Sequence, residues 1–77
     1  MNYNEIINEF KAMAAAKGIE ARDESNDYTL RIEYYANGEW IGGASYCGCA
    51  EHPEYITRYD MENAKEQIKY LAAKAAS

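Results

Sequence analysis

The dipeptide Asn37-Gly38 constrains the fold of this chain more than any other feature. Both residue types tolerate the positive φ that the centre of a type I′ turn requires, and alternating apolar residues precede the pair. We therefore predict a β-hairpin with strands over residues 28–35 and 39–47. The inner, apolar face of the first strand is formed by Tyr28, Leu30, Ile32 and Tyr34.

A two-residue turn also sets the register of the hairpin. It predicts that Tyr34 pairs with Ile41 on the inner face and that Tyr35 pairs with Trp40 on the outer face. Because side chains alternate along a strand, the same register places Tyr46 on the outer face.

The first of two helical patterns lies at the start of the chain. Apolar residues recur there at helical spacing, which predicts an amphipathic helix over residues 3–17. Asn2 and Glu5 have the spacing of a capping box. Gly18 predicts the end of the helix, because glycine takes the left-handed conformation without strain.

The second helix is predicted over residues 61–75, with Asp60 as its N-cap. Between the hairpin and this helix, residues 55–59 predict a short third strand whose Ile56 points inward. The order is therefore helix, three strands, helix. We expect one α+β domain over residues 1–77, a two-layer αβββα arrangement with a three-stranded antiparallel sheet and two helices on one face.

The opposite, outer face of this sheet receives no cover from the predicted elements. Aromatic side chains bury much area at little cost in conformational entropy, and a contiguous apolar patch on a small domain usually has a partner. We therefore expect the face to bind a partner, with cross-strand stabilisation or burial against a second copy in a homo-oligomer as alternatives. The aromatic residues expected there are Tyr35, Trp40, Tyr46, Tyr55 and Tyr59.

The charge of the chain is concentrated in its centre. The whole chain carries −5, and residues 19–55 hold eight acidic against two basic side chains, with residues 20–27 predicted as an acidic loop. This charge repels polyanions and favours a larger protein or ribonucleoprotein with a basic surface, or it serves solubility alone. The acidic residues expected to contribute to binding are Asp23, Glu24, Asp27, Glu33 and Glu39.

One local motif has the residue types of a reactive or metal-binding site. Cys47, Cys49 and His52 are possible metal ligands, but structural zinc sites favour two residues between paired cysteines. A disulfide between the two cysteines would close a small, strained ring. No third group is placed to orient the imidazole for catalysis. We therefore expect no enzyme activity, no cofactor and no metal, with a metal or thiol site at these residues as the alternative.

The cellular location is predicted from two absences in the sequence. No apolar run approaches the ~20 residues of a membrane span. The first residues lack the basic and apolar regions of a signal peptide. We expect a cytoplasmic protein with no membrane contact, in which both cysteines are reduced.

The element order over nearly the whole chain resembles the double-stranded-RNA-binding domain, and the alanine-rich residues 71–76 are similar to the end of its second helix. The resemblance implies the fold. It also implies RNA contacts at the start of the second helix and at the first hairpin loop. Residues 60–65 retain only Lys65 as a candidate phosphate contact, beside two acidic residues, and residues 36–39 form a tight turn. Because recognition of RNA shape needs positive charge at spaced grooves, we expect no direct binding of nucleic acid.

In size, charge and architecture the chain is also similar to the small inhibitors that phages deploy, such as anti-CRISPR proteins. Those proteins commonly occlude a nucleic-acid channel of a host nuclease complex. The similarity implies an inhibitor that docks on the basic surface of a larger partner.

Overall fold

The structure is a computed structural model that describes residues 1–77. Its elements are helix α1 (Tyr3–Ala16), strands β1 (Glu20–Asp23), β2 (Leu30–Ala36) and β3 (Glu39–Tyr46), a short 3₁₀ helix (Pro53–Tyr55) and helix α2 (Arg58–Ala76). The strands form one antiparallel sheet in the order β1-β2-β3. The predicted α+β class, with two helices and a three-stranded sheet, is confirmed. Neither helix combines the length and apolar character needed to cross a membrane.

The third strand of the sheet is not the predicted one. Residues 55–59 form no strand, because the chain passes from the 3₁₀ helix directly into α2. The sheet is completed instead by β1, within the segment 20–27 that was expected to be a loop. Ile19 and Ala21 are both buried, and Ala21 pairs with Tyr34 of β2. Ala21 is the one buried residue within β1, and Ile19 directly before the strand adds a second contact with the core.

The helices begin at capping boxes. In α1 the Asn2 side chain accepts from the Glu5 N–H and the Glu5 carboxylate accepts from the Asn2 N–H, as predicted. In α2 the N-cap is Thr57 rather than Asp60. Asp60 is the partner residue of that box, since its carboxylate accepts from the Thr57 N–H at 2.9 Å. Gly18, after α1, has the expected positive φ of 78°.

Both helices pack on the same face of the sheet and share one core with it. The core residues are Ile6, Ile7, Phe10 and Ala14 from α1, Ala21, Leu30, Ile32 and Tyr34 from the sheet, and Ala64, Ile68 and Leu71 from α2, together with Ile19 and Cys49. The inner face is the one that carries these sheet residues.

The hairpin turn forms as predicted. Asn37 and Gly38 have φ of 53° and 80°, which is the left-handed region that a type I′ turn requires at both positions. Tyr35 pairs with Trp40, as the turn predicts.

One residue beyond this pair, a β-bulge shifts the register. The shift lies between Tyr34 and Tyr35, so that Tyr34 pairs with Gly42 and Ile41 is an extra residue on β3. Because the side-chain period of a strand is two, one extra residue moves every later side chain of that strand to the other face.

Tyr46 therefore lies on the inner face, and its predicted outer position is wrong. It pairs with Leu30, and its ring centroid lies 5.6 Å from that of Phe10 in α1. Burial raises the pKa of its hydroxyl. Tyr46 is a half-buried residue that packs against the core on the helix side of the sheet.

The buried hydroxyl of Tyr34 generates a stability prediction. Tyr34 is fully buried, and its hydroxyl has no hydrogen-bond partner. We expect Tyr34→Phe to leave the free energy of unfolding unchanged or to raise it by up to about 1 kcal/mol, because the ring stays and an unpaired polar group is removed. Urea denaturation measures this, with Tyr70→Phe, an exposed tyrosine, as control. A loss of more than about 1 kcal/mol relative to that control would contradict the expectation.

Candidate protein-interaction face

The outer face of the sheet is built by alternate residues of all three strands. The pairing register places Glu20 beside Tyr35, Arg22 beside Glu33 and Arg31 beside Ser45. Both helices lie on the other side, so no element of the chain covers these residues. The side chains of the outer face are Glu20, Arg22, Arg31, Glu33, Tyr35, Trp40 and Ser45.

Glu33 is the centre of this face. Its carboxylate accepts a hydrogen bond from Nε1 of Trp40, and its Oε1 lies 2.5 Å from Nε of Arg31. Because Oε1 of Glu33 accepts no hydrogen bond, its contact with Arg31 is an ion pair without a hydrogen bond. Glu33 is only 8% exposed although no helix covers it, because the side chains of Trp40 and Arg31 lie against it. The carboxylate thereby fixes both neighbours.

Two adjacent glycines make this arrangement possible. Gly43 pairs with Glu33, and a Cβ at Gly43 would lie 2.9 Å from the Glu33 carboxylate oxygens. A Cβ at Gly42 would lie 3.0 Å from a methyl group of Leu71 in α2. Gly42 therefore leaves room for Leu71 of α2 on the inner face, and Gly43 leaves room for the Glu33 carboxylate on the outer face.

Two aromatic rings of the outer face are held in place before any partner binds. Trp40 is 59% exposed although its indole N–H is bonded to Glu33, so the ring is fixed while much of it meets solvent. The guanidinium of Arg22 lies over the Tyr35 ring at 3.9 Å from the centroid, and Glu20 holds Arg22 at 3.1 Å. Fixed side chains lose less rotamer entropy on binding than free ones do.

The other predicted aromatic residues lie away from the sheet. Tyr46 belongs to the core. Tyr55 stacks on His52 with ring centroids 4.8 Å apart, and Tyr59 lies in the first turn of α2. Both are well exposed, but neither belongs to a strand. The aromatic part of the outer face therefore consists of Tyr35 and Trp40 rather than of five residues.

The predicted acidic residues have three different environments. Glu33 lies in the outer face. Asp23 accepts hydrogen bonds from the Tyr3 hydroxyl and the Ser25 N–H, and so ties β1 to α1. The remaining three are exposed and form no ion pair, namely Glu24, Asp27 and Glu39.

Two acidic loops meet at the end of the sheet that lies opposite the hairpin turn. The Ala50 N–H donates to the Tyr28 carbonyl at 3.1 Å, and the Tyr28 hydroxyl would lie 3.6 Å from a Cβ at Gly48. These contacts join the loop between β1 and β2 to the loop between β3 and α2. We call this region the acidic end; its exposed carboxylates are Glu24, Asp27, Glu51 and Glu54.

The side chains of the cysteine motif do not converge on one point. Cys47 is exposed, Cys49 is buried, and both are free thiols. No three His, Cys, Asp or Glu side chains lie in a group that could hold a metal ion, so the alternative ligand set with His52 does not assemble. Burial raises the pKa of the Cys49 thiol, which disfavours the reactive thiolate.

Sequence reasoning missed several members of the outer face. Glu20 and Arg22 belong to β1, and the alternation over residues 19–22 is the signal that would have found them. Gly43 and Ser45 reach this face only through the bulge. The adjacent glycines Gly42 and Gly43 inside the strand are the signal that would have indicated a bulge there.

Comparison of the chain with protein-family models, with curated proteins and with solved structures finds no match. The resemblance to the double-stranded-RNA-binding domain therefore stays a prediction. Function is inferred from the outer face, its exposed ring and the placement of charge.

The Glu33 arrangement generates a spectroscopic prediction. We expect Gly43→Ala to displace the Glu33 carboxylate and to release the indole N–H of Trp40 to solvent, which changes the emission of the single tryptophan. Ser45→Ala is the control, because it removes only the Arg31 contact on the same face. Equal emission maxima for wild type, Gly43→Ala and the control would contradict the arrangement.

Asp23 generates a prediction about acid stability. Burial opposes ionisation, but hydrogen bonds from Ser25 and Tyr3 outweigh it and lower the pKa of Asp23 below its ordinary value of 3.8. The ionised Asp23 carboxylate therefore stabilises the folded state. This stabilisation is fully present above the ordinary pKa of 3.8 and is lost as the pH falls through the lower pKa of the folded state. We expect Asp23→Asn to flatten the fall of the melting temperature in this acid range. Asp27→Asn, which removes an exposed carboxylate without an ion pair, should leave that fall unchanged; parallel curves for Asp23→Asn and wild type would contradict the prediction.

Proposed function

We propose that this chain is a small acidic protein-binding module, an inhibitor that docks on a basic, nucleic-acid-binding surface of a larger protein or ribonucleoprotein, of the anti-CRISPR or another anti-defence type. The observation that supports this most is the outer face. It presents a fixed, exposed Trp40 ring, and no element of the chain covers it. Tryptophan, tyrosine and arginine are the residues that dominate binding energy at protein interfaces, and this face carries all three.

The paired and the unpaired charges of the chain have different roles in association with a partner. Within the outer face, Glu20 pairs with Arg22 and Glu33 pairs with Arg31, so the face is nearly neutral. The long-range negative field arises from unpaired carboxylates elsewhere, above all at the acidic end. Such a field accelerates encounter with a basic surface, although it decays over about 8 Å at physiological ionic strength. The outer face then supplies the short-range contacts.

A basic partner has a matching contact at Trp40. The face of an indole ring attracts an arginine or lysine side chain, with about 0.5–1 kcal/mol at an exposed site and about 2 kcal/mol when water is excluded. The neighbouring Arg22 on Tyr35 is an example of this geometry within the chain.

Competition with nucleic acid follows from this chemistry. Cationic side chains that bind phosphates would be occupied by the carboxylates and the ring of this chain. Nucleic acid itself would be repelled by a chain of net charge −5.

The proposal is tested by a double substitution on the outer face. Tyr35→Ala with Trp40→Ala should abolish capture of the partner from a lysate of the encoding organism or its phage-infected host, since both rings of the face are removed. Tyr55→Ala with Tyr59→Ala is the matched control, because it removes two exposed tyrosines that lie off the sheet. Circular dichroism verifies that each variant folds.

Capture is followed by a competition experiment with the purified partner. Wild-type chain should displace nucleic acid from it, and the outer-face variant should not. Displacement by both proteins would rule out the outer face as the contact. Light scattering distinguishes the alternative: a dimer of the free chain that becomes monomeric in the outer-face variant would assign this face to a second copy.

The steering role of the acidic end is tested separately. Glu24→Lys with Asp27→Lys should lower the association rate with the partner by about tenfold at low salt, with little change in dissociation. Glu62→Lys with Glu66→Lys makes the same change of charge on α2 and should have a smaller effect. Equal association rates for the two variants would argue against a steering role for these loops.

A further inference from the structure

The free edge of β3 is a second place where this chain can bind a partner. β3 is the last strand of the sheet and pairs only with β2. Along this edge, the Gly43 carbonyl accepts from the side-chain amide of Gln67 in α2 at 2.9 Å. No comparable contact covers residues 39–42. An uncovered strand edge presents backbone donors and acceptors that an extended peptide can pair with.

An apolar groove of about 300 Å³ opens beside this uncovered segment. It lies between β3 and the C-terminal part of α2. Its volume is at the lower end of the range for ligand sites, which leaves room for at least one large apolar side chain. Peptides that add a strand to a sheet edge gain specificity from such pockets for alternate side chains. The lining residues are Trp40, Ile41, Leu71, Lys74 and Ala75.

Lys74 gives the groove a chemical preference. It is the one charged residue of the lining, and it forms no ion pair. Its ammonium lies 5.9 Å from the ring centroid of Tyr70, a contact that leaves it accessible. An unpaired cation at an apolar groove favours a carboxylate in the occupant. This preference is opposite to that of the acidic end, which favours cations.

We propose that the β3 edge and this groove bind a short extended segment of a partner protein. The segment adds a strand beside residues 39–42, places one large apolar side chain in the groove and sets a carboxylate beside Lys74. A C-terminal leucine or phenylalanine carries both groups on one residue. The site is separate from the outer face except for Trp40, whose ring borders both.

The probe is an acetylated peptide of alternating threonine and valine that ends in leucine with a free carboxylate. We expect saturable binding with a Kd of the order of 0.1 mM, followed by Trp40 emission and by shifts of the amide signals of residues 39–43. Amidation of the peptide or Lys74→Glu should weaken binding at least about threefold, because each removes the ion pair. Lys69→Glu makes the same change of charge on α2 outside the groove and should have no such effect.

Several results would overturn the proposal. The first is the absence of saturable binding up to about 1 mM, both for the leucine peptide and for the same peptide ending in phenylalanine. The second is equal binding of the acid and amide forms of the peptide. The third is an equal effect of Lys74→Glu and Lys69→Glu on peptide binding. A dimer of the free chain that the peptide fails to dissociate would assign the edge to a second copy. Tyr35→Ala should leave peptide binding unchanged, so failure of this site and failure of the outer face are distinguishable.

Discussion

The one-residue bulge at Ile41 is the constraint on which both faces of the sheet depend. It turns Gly42 toward Leu71 of α2 and Gly43 toward the Glu33 carboxylate. It also turns Tyr46 beneath the helices, where its ring meets Phe10. In an unbroken register the hairpin would place Tyr46 in solvent and would aim Gly42 away from the second helix. The bulge therefore serves core packing, because it brings the half-buried Tyr46 ring against Phe10 and leaves room for Leu71 at Gly42.

The outer face combines exposure with internal order. Trp40 is accessible, yet its N–H is bonded, and Glu33 is nearly buried without cover from any helix. The cationic and anionic side chains of this face neutralise one another, whereas the exposed carboxylates of the acidic end have no lysine or arginine partner. In the proposed mode of action, the acidic end provides the long-range attraction and the outer face provides the short-range contacts. Different substitutions can therefore alter the association rate and the contact itself.

Much of the fold follows from local sequence signals, and the errors have definite physical causes. The α1 capping box, the turn at Asn37-Gly38 and the pairing of Tyr35 with Trp40 depend on residues close in sequence, and these predictions are confirmed. The third strand and the bulge depend on contacts with the helices. The alternation of β1 extends over only residues 19–22, and the signal of the bulge is confined to the adjacent glycines Gly42 and Gly43. Two of the five predicted aromatic residues therefore lie on the predicted face, and the metal-ligand alternative does not assemble.

The acidic end has a consequence for how the molecule turns in solution. Lys17 lies beside the hairpin turn and Lys74 beside Trp40, at the end of the sheet remote from the acidic end. The acidic end holds several exposed carboxylates, whereas at the hairpin end Glu39 offsets only part of the charge of the two lysines, so the molecule has an electric dipole. In the proposed encounter with a basic partner, the field of that partner exerts a torque on the dipole, which favours an approach with the acidic end in front.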